Sequence, residues 1–279
     1  MSPPIPILCS SVVLMPFDGS PQSIWTFPLA HTIARAMEGS LHLVLPGDQT
    51  GARELLLLPA ELRSQAIHHE LRGDPAACLA RLAAVSPDAF IVTPSYSGLR
   101  PDSGLGAFQE ALLQQADCPV LLVQPGATWT TWRPARILVP QDGSPDAAKA
   151  LCPAARLAER SGAEVLILHV SAERPCGAPE PGILECPAYV DHPEHEWPEW
   201  VAAFLDRVRS LCSLSPHATL RFEWALGDPG QEIVAAAQRT GADLISVTWH
   251  RSLEPGRSQV VRQVVREAPC PVLLLPCHP

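Results

Sequence analysis

Short apolar runs and longer stretches with helical spacing alternate along the chain. The runs Val13–Met15, Leu41–Leu45, Ala89–Thr93 and Pro119–Val123 are rich in branched residues and too short for helices, and a more polar strand is expected around Ile67–Leu71. The apolar runs predict buried strands. Between them, Pro21–Glu38, a segment capped by Asp74 and running to about Val85, and Phe108–Gln115 predict helices. The order then repeats. Strands are predicted at Ile137–Val139, Val165–Val170, Thr219–Trp224, Leu244–Thr248 and Val272–Leu275, and helices at Pro145–Ser161, Pro229–Thr240 and Gln259–Glu267. Strands alternating with helices argue a parallel sheet covered on both faces.

The repeat is visible residue by residue. Val13-Leu-Met-Pro-Phe-Asp18-Gly-Ser20 returns as Ile137-Leu-Val-Pro-Gln-Asp142-Gly-Ser144. In each copy an apolar strand stops at Pro and Asp-Gly, and a helix begins. Ser20 and Ser144 are placed to cap that helix, with Pro21 and Pro145 at its first position, where a missing N–H costs nothing. Gly39 and Gly162 are expected to close the two helices in a left-handed turn. Gly73-Asp74-Pro75 and Gly227-Asp228-Pro229 are a second repeated corner. The spacing from aspartate to this corner is 55 residues in the first half and 85 in the second, so the second carries an insertion of 30. It falls at residues 171–200, before a helix with Val201, Leu205, Val208 and Cys212 on one side. The boundaries are therefore a first domain at 1–126, a linker at 127–136, and a second domain at 137–279.

Composition narrows the function classes. A length of 279 residues suits two domains. With 29 acidic and 20 basic residues the formal net charge is -9, which disfavours nucleic acid and anionic membrane surfaces as partners. Lys149 is the only lysine and no glycine run precedes it, so a lysine-based phosphate loop is excluded. No apolar run is long enough to cross a bilayer, and the first residues do not read as a secretory signal. The nine dispersed cysteines read as small buried thiols of a cytoplasmic protein.

Four motifs in order, each present twice, resemble the universal stress protein (UspA-like) family: the Pro-x-Asp-Gly-Ser strand end, a first helix with an internal proline (Pro28, Pro153), Gly-Asp-Pro before the third helix, and Ala-Asp-Cys-Pro or Ala-Pro-Cys-Pro before the last strand. The resemblance covers nearly everything except linker and insertion. It implies two tandem Rossmann-like (adenine nucleotide alpha hydrolase-like) domains, each a five-stranded parallel sheet of order 3-2-1-4-5. It also implies that the two halves pair as an intrachain pseudo-dimer through their last strands.

In members of the family that bind ATP, the resemblance places an aspartate near the adenine and a glycine loop around the phosphates. Asp18 and Asp142 match the first position. Gly98, Gly104 and Gly106 are what the first half offers for the second, with Tyr96 and Thr93 where earlier glycines belong. In the second half Ser258-Gln259 replaces Gly-Ser and the loop is about three residues short, while Arg251 and Arg257 are read either as charge for a phosphate or, as is commoner for loop arginines, as simply solvated. Both loops are degraded relative to the family pattern. The reading that follows is a regulatory or protective stress-response binding module, without required cofactor and without strong catalytic activity. Its rival is an ATP-binding member that hydrolyses ATP slowly or is switched by it.

Other residues have plainer readings beside sharper ones. Asp18 and Asp142 also suit simple turn chemistry, and Cys118 and Cys270 suit packing better than nucleophilic attack. Cys176, Cys186, His192 and His195 in the insertion are weak zinc candidates whose spacing matches no compact finger. Trp129, Trp132, Trp197 and Trp200 are expected to cover an edge or the domain interface. A homodimer through unpaired sheet edges and an unidentified protein partner complete the expectations.

Overall fold

A computed structural model describes residues 11–46, 55, 58, 60–86, 88–96, 104–124, 132–141, 150–171, 193–215, 217–251 and 258–277. The first half runs β1 (Val12–Pro16), α1 (Pro21–Ala36), β2 (Ser40–Pro46), a single-turn α2 (Ala60–Arg63), β3 (Ala66–Leu71), α3 (Pro75–Val85), β4 (Phe90–Pro94), α4 (Ala107–Gln115) and β5 (Val120–Val123). The second runs β6 (Arg136–Gln141), α5 (Leu151–Ser161), β7 (Glu164–Ser171), α6 (Pro193–Leu211), β8 (Leu220–Leu226), α7 (Pro229–Thr240), β9 (Leu244–Trp249), α8 (Gln259–Glu267) and β10 (Val272–Pro276).

The sheet order is β3-β2-β1-β4-β5-β10-β9-β6-β7-β8. Each half keeps the expected order 3-2-1-4-5, all parallel, but the two sheets are continuous where two separate ones were expected. The join is antiparallel, with Val272 opposite Leu122 and Leu274 opposite Val120. Its cause is elementary. β5 and β10 are each the last strand of a half, and an edge strand has a row of unpaired N–H and C=O groups that a second such strand satisfies.

Alternate residues of each strand feed two apolar layers. On one face Val13 and Met15 of β1 pack in a single cluster with Phe27, Leu29 and Ile33 of α1, Ala154 and Ala158 of α5, and Val208 of α6. On the other, Leu14 and Ile91 join Leu79 of α3, Leu112 of α4, Ile233 of α7 and Val264 of α8. Both layers run across the join. Each fully buried Leu or Val in them contributes roughly 1.5–3 kcal/mol.

Several local expectations hold in detail. Ser20 Oγ accepts the Ser23 N–H at 3.2 Å, and Asp74 and Asp228 cap α3 and α7 by accepting from Ala77 N at 2.8 Å and Gln231 N at 3.0 Å. Gly162 ends α5 in the left-handed region, at φ 73°. Gly39 does not do the same for α1. There the left-handed residue is Glu38, at φ 53°, and Gly39 is small for another reason: a Cβ on it would lie 2.1 Å from the Ser11 carbonyl oxygen, where the chain enters the sheet.

The cysteines need a correction. Cys152 of α5 and Cys212, just past α6, form a disulfide that ties the helix following the insertion to the body of the second half. Sixty residues separate the pair in sequence, so spacing alone gave no sign of it. Cys78, Cys118 and Cys270 are free thiols. Trp132 is buried, its indole N–H donating to the Asp243 carbonyl at 3.1 Å. Trp129 lies outside the described residues, as do the side chains of Trp197 and Trp200.

Candidate functional site

The nucleotide-type site expected in each half is a corner where the loops after the first and fourth strands meet. Both loops of the first half leave neighbouring strands, since β1 pairs β4 with Val13 opposite Phe90. β6 pairs β9 in the same register, with Ile137 opposite Leu244, so the second half repeats the geometry.

In the first corner, Phe17 is buried and its N–H donates to the Val44 carbonyl at 2.9 Å. Asp18 is then turned outward and exposed. Its Oδ1 accepts the Ser20 N–H at 3.0 Å, and Gly19 between them takes φ 70°. The carboxylate thus closes its own turn. Across from it, β4 ends at Pro94, and Ser95 is buried with its N–H donating to the Val123 carbonyl at 2.9 Å. Gly106 N donates to the Ser95 carbonyl at 2.9 Å, which folds the start of α4 back on the strand.

The glycines of this loop face protein. At Gly104, φ is +74°, and a Cβ would lie 2.9 Å from the Cα of Arg266 in α8. At Gly106 a Cβ would lie 2.4 Å from Gln109 Oε1, while Gln109 Nε2 reaches back to Thr93 Oγ1 at 3.4 Å. Close approach of backbone to a neighbour is what glycine permits, and here the described neighbours are a helix of the other half and a side chain of α4. The arrangement does not fit a cradle of bare amides open to a triphosphate. Gly98 lies outside the described residues.

A hollow of about 350 Å³ remains in this corner, lined by Ser95, Tyr96, Gly104, Gln124 and the end of α8 at Val265–Ala268. Gln124 Nε2 donates to the Val265 carbonyl at 3.4 Å. Ser95 Oγ is buried and has no hydrogen-bond partner among the described residues. Ser95 and Gln109 had no role in the sequence reading; the signal was only a serine and a glutamine bordering the expected loop.

The second corner is built differently. Asp142 lies outside the described residues, as does Arg257. Arg251, read from the sequence as a charge for a phosphate or as simply solvated, forms an ion pair with Asp117 of the first half and donates to the Gln114 carbonyl at 3.2 Å. Trp249 is buried and its indole N–H donates to the Leu113 carbonyl at 3.1 Å. Ser258 is buried, and its Oγ accepts from Arg262 Nε at 3.2 Å. Each of these contacts is to protein.

Burial favours the protonated form of the two thiols beside the last strands. Burial pushes Cys118 up to about 12, with Asp117 adding to it against an opposing backbone hydrogen bond. Burial, with the charge of Asp243, does the same to Cys270. No group of three or more metal-ligating side chains occurs among the described residues. The zinc candidates Cys176, Cys186 and His192 lie outside them, as does the side chain of His195 on α6. No helix among the described residues is long and apolar enough to cross a membrane.

Residues 135–276 match the model of the universal stress protein family. The chain belongs to that family. No curated protein matches its sequence. Among solved structures, a universal stress protein from Archaeoglobus fulgidus is 17% identical, with 94% of this chain and 95% of that one covered at a TM-score of 0.67. A Pseudomonas aeruginosa structure described in the same terms is 18% identical, with 96% and 94% covered at a TM-score of 0.63. At these identities the likeness concerns the fold, and it spans both halves. A universal stress protein solved in complex with cAMP is 21% identical, covering 53% of this chain and 99% of its own at a TM-score of 0.39.

Proposed function

We propose that the chain acts as a tandem universal stress protein: a regulatory or protective binding module of the stress response, with no catalytic turnover and no required cofactor. The observation that supports this reading is that the groups expected to contact a nucleotide in the first corner are engaged by protein. Asp18 is engaged by the Ser20 amide, and the faces of Gly104 and Gly106 are filled by Arg266 and Gln109. On this reading the halves form an intrachain pseudo-dimer, the protein works in the cytoplasm, and its partner is another protein or a second copy. The free edges β3 and β8, with Ile67, Trp224 and Leu226 more than 40% exposed, are the surfaces such a partner meets.

The rival reading, ATP held in the first half, draws on one observation: the unpartnered Ser95 hydroxyl beside a hollow at the expected phosphate loop. Isothermal titration of the whole protein with Mg-ATP separates the two. The expected result is no nucleotide binding that depends on Asp18. Saturable binding that Asp18→Ala abolishes replaces the first reading with the second.

A further inference from the structure

A second hollow, of about 440 Å³, lies between the two halves and shares no residue with the Asp18 corner. Its walls come from three elements: the C-terminal half of α1, the segment Trp132–Pro134 ahead of β6, and the end of α5. The floor is apolar, with Ile33, Trp132 and Leu157 buried. The rim carries Arg35, Arg133 and Arg160, and no carboxylate lines the space.

Arg136, Arg209, Arg221, Arg239, Arg251, Arg262 and Arg266 each pair with a carboxylate. Among the described residues, none of the three at the hollow does. Among the described residues Arg63, Arg72, Arg81, Arg156 and Arg207 also lack a carboxylate partner, and what sets these three guanidiniums apart is that they converge on one hollow. Arg133 Nη2 donates to the Ser161 carbonyl at 3.3 Å, which holds it at the end of α5. His31 faces the same space, and its pKa is lowered by burial and then by the charge of Arg35, as expected in a locally positive field. One arginine in the last turn of a helix is ordinary compensation of the helix dipole, and that accounts for Arg35 and Arg160 taken singly. It does not account for three unpaired cations from three elements around one carboxylate-free hollow in a protein of net charge -9.

We propose that this hollow is a binding site for a compact, multiply charged phosphate compound. Guanidinium groups match phosphate oxygens in bidentate geometry, and the volume lies within the range of small-ligand sites, about 300–1,000 Å³. The buried tryptophan and isoleucine beneath exclude water from one side of the bound anion.

The test is calorimetric titration of the whole protein with sodium tripolyphosphate at 0.15 M salt. One site per chain is expected. Arg35→Gln with Arg160→Gln should weaken it at least tenfold, and Arg133→Gln alone should weaken it in the same direction. Arg239→Gln, which removes a distant cation paired with Glu223, should leave it unchanged, and thermal melts of each variant confirm folding. Failure of wild type to bind saturably, or equal affinity in the double variant, overturns the proposal. Competition by ADP assigns the phosphates to a nucleotide and its absence assigns them to an inorganic chain; either leaves the site standing.

Discussion

The corners after β4 and β9 occupy equivalent places, and they have become different objects. By register with β1 and β6, Ser95 in one half takes the position of Trp249 in the other. Around Ser95 there is a hollow and a hydroxyl without a partner. Around Trp249 the indole itself fills the place, buried, with its N–H bonded to Leu113 of the opposite half. The corners before α3 and α7, by contrast, have stayed the same, each with an aspartate capping the helix at 2.8 to 3.0 Å. A capping corner keeps its residues because a helix always needs its first amides satisfied. The corners after β4 and β9 carry no such requirement.

The comparison is broken most forcefully at the filled corner. Trp249→Ala should empty it and lower stability by about 3–5 kcal/mol, the usual cost of truncating a buried Trp, read from urea unfolding of the whole chain. A loss below 1 kcal/mol would mean that the indole is not packed as described. The open corner is probed by a pair of glycines with nearly equal φ. Gly104→Ala meets both the left-handed backbone and the Arg266 backbone and should cost about 2–3 kcal/mol, whereas Gly162→Ala, with nothing within 4 Å, should cost about 1 kcal/mol. Equal losses would show that backbone conformation alone is at work. The conserved pair of corners should give the smallest and most even effects: Asp74→Ala and Asp228→Ala about 1 kcal/mol each, in the same denaturation assay.

Much of the fold was legible because its punctuation is chemical. Ser20-Pro21, Asp74-Pro75 and Asp228-Pro229 fix helix starts through hydrogen bonds made within three residues, so local sequence is enough to find them. The expectation that the halves meet through their last strands came from the family resemblance, because an edge strand does not advertise its partner. What local sequence could not carry was contact over distance. The Cys152–Cys212 bond spans 60 residues and a helix, and Arg251 finds Asp117 only after the sheet has closed. Gly39 was misread for a related reason. A glycine at a helix end suggests a left-handed cap, while the demand on it here is clearance from Ser11, which folding brings alongside. The candidate site was legible as a place, the loops beside Asp18 and Gly104, but what fills those loops was not.

The antiparallel join of β5 to β10 has a consequence for how the molecule can change. Between two identical subunits every contact is made twice about the dyad, so a substitution must suit both copies at once. Here the position equivalent to Asp117 is Pro269, which can form no ion pair, and the one equivalent to Trp249 is Ser95. Within a single chain the two sides are free of that reciprocity, so one flank is sealed with an indole while its counterpart keeps an opening.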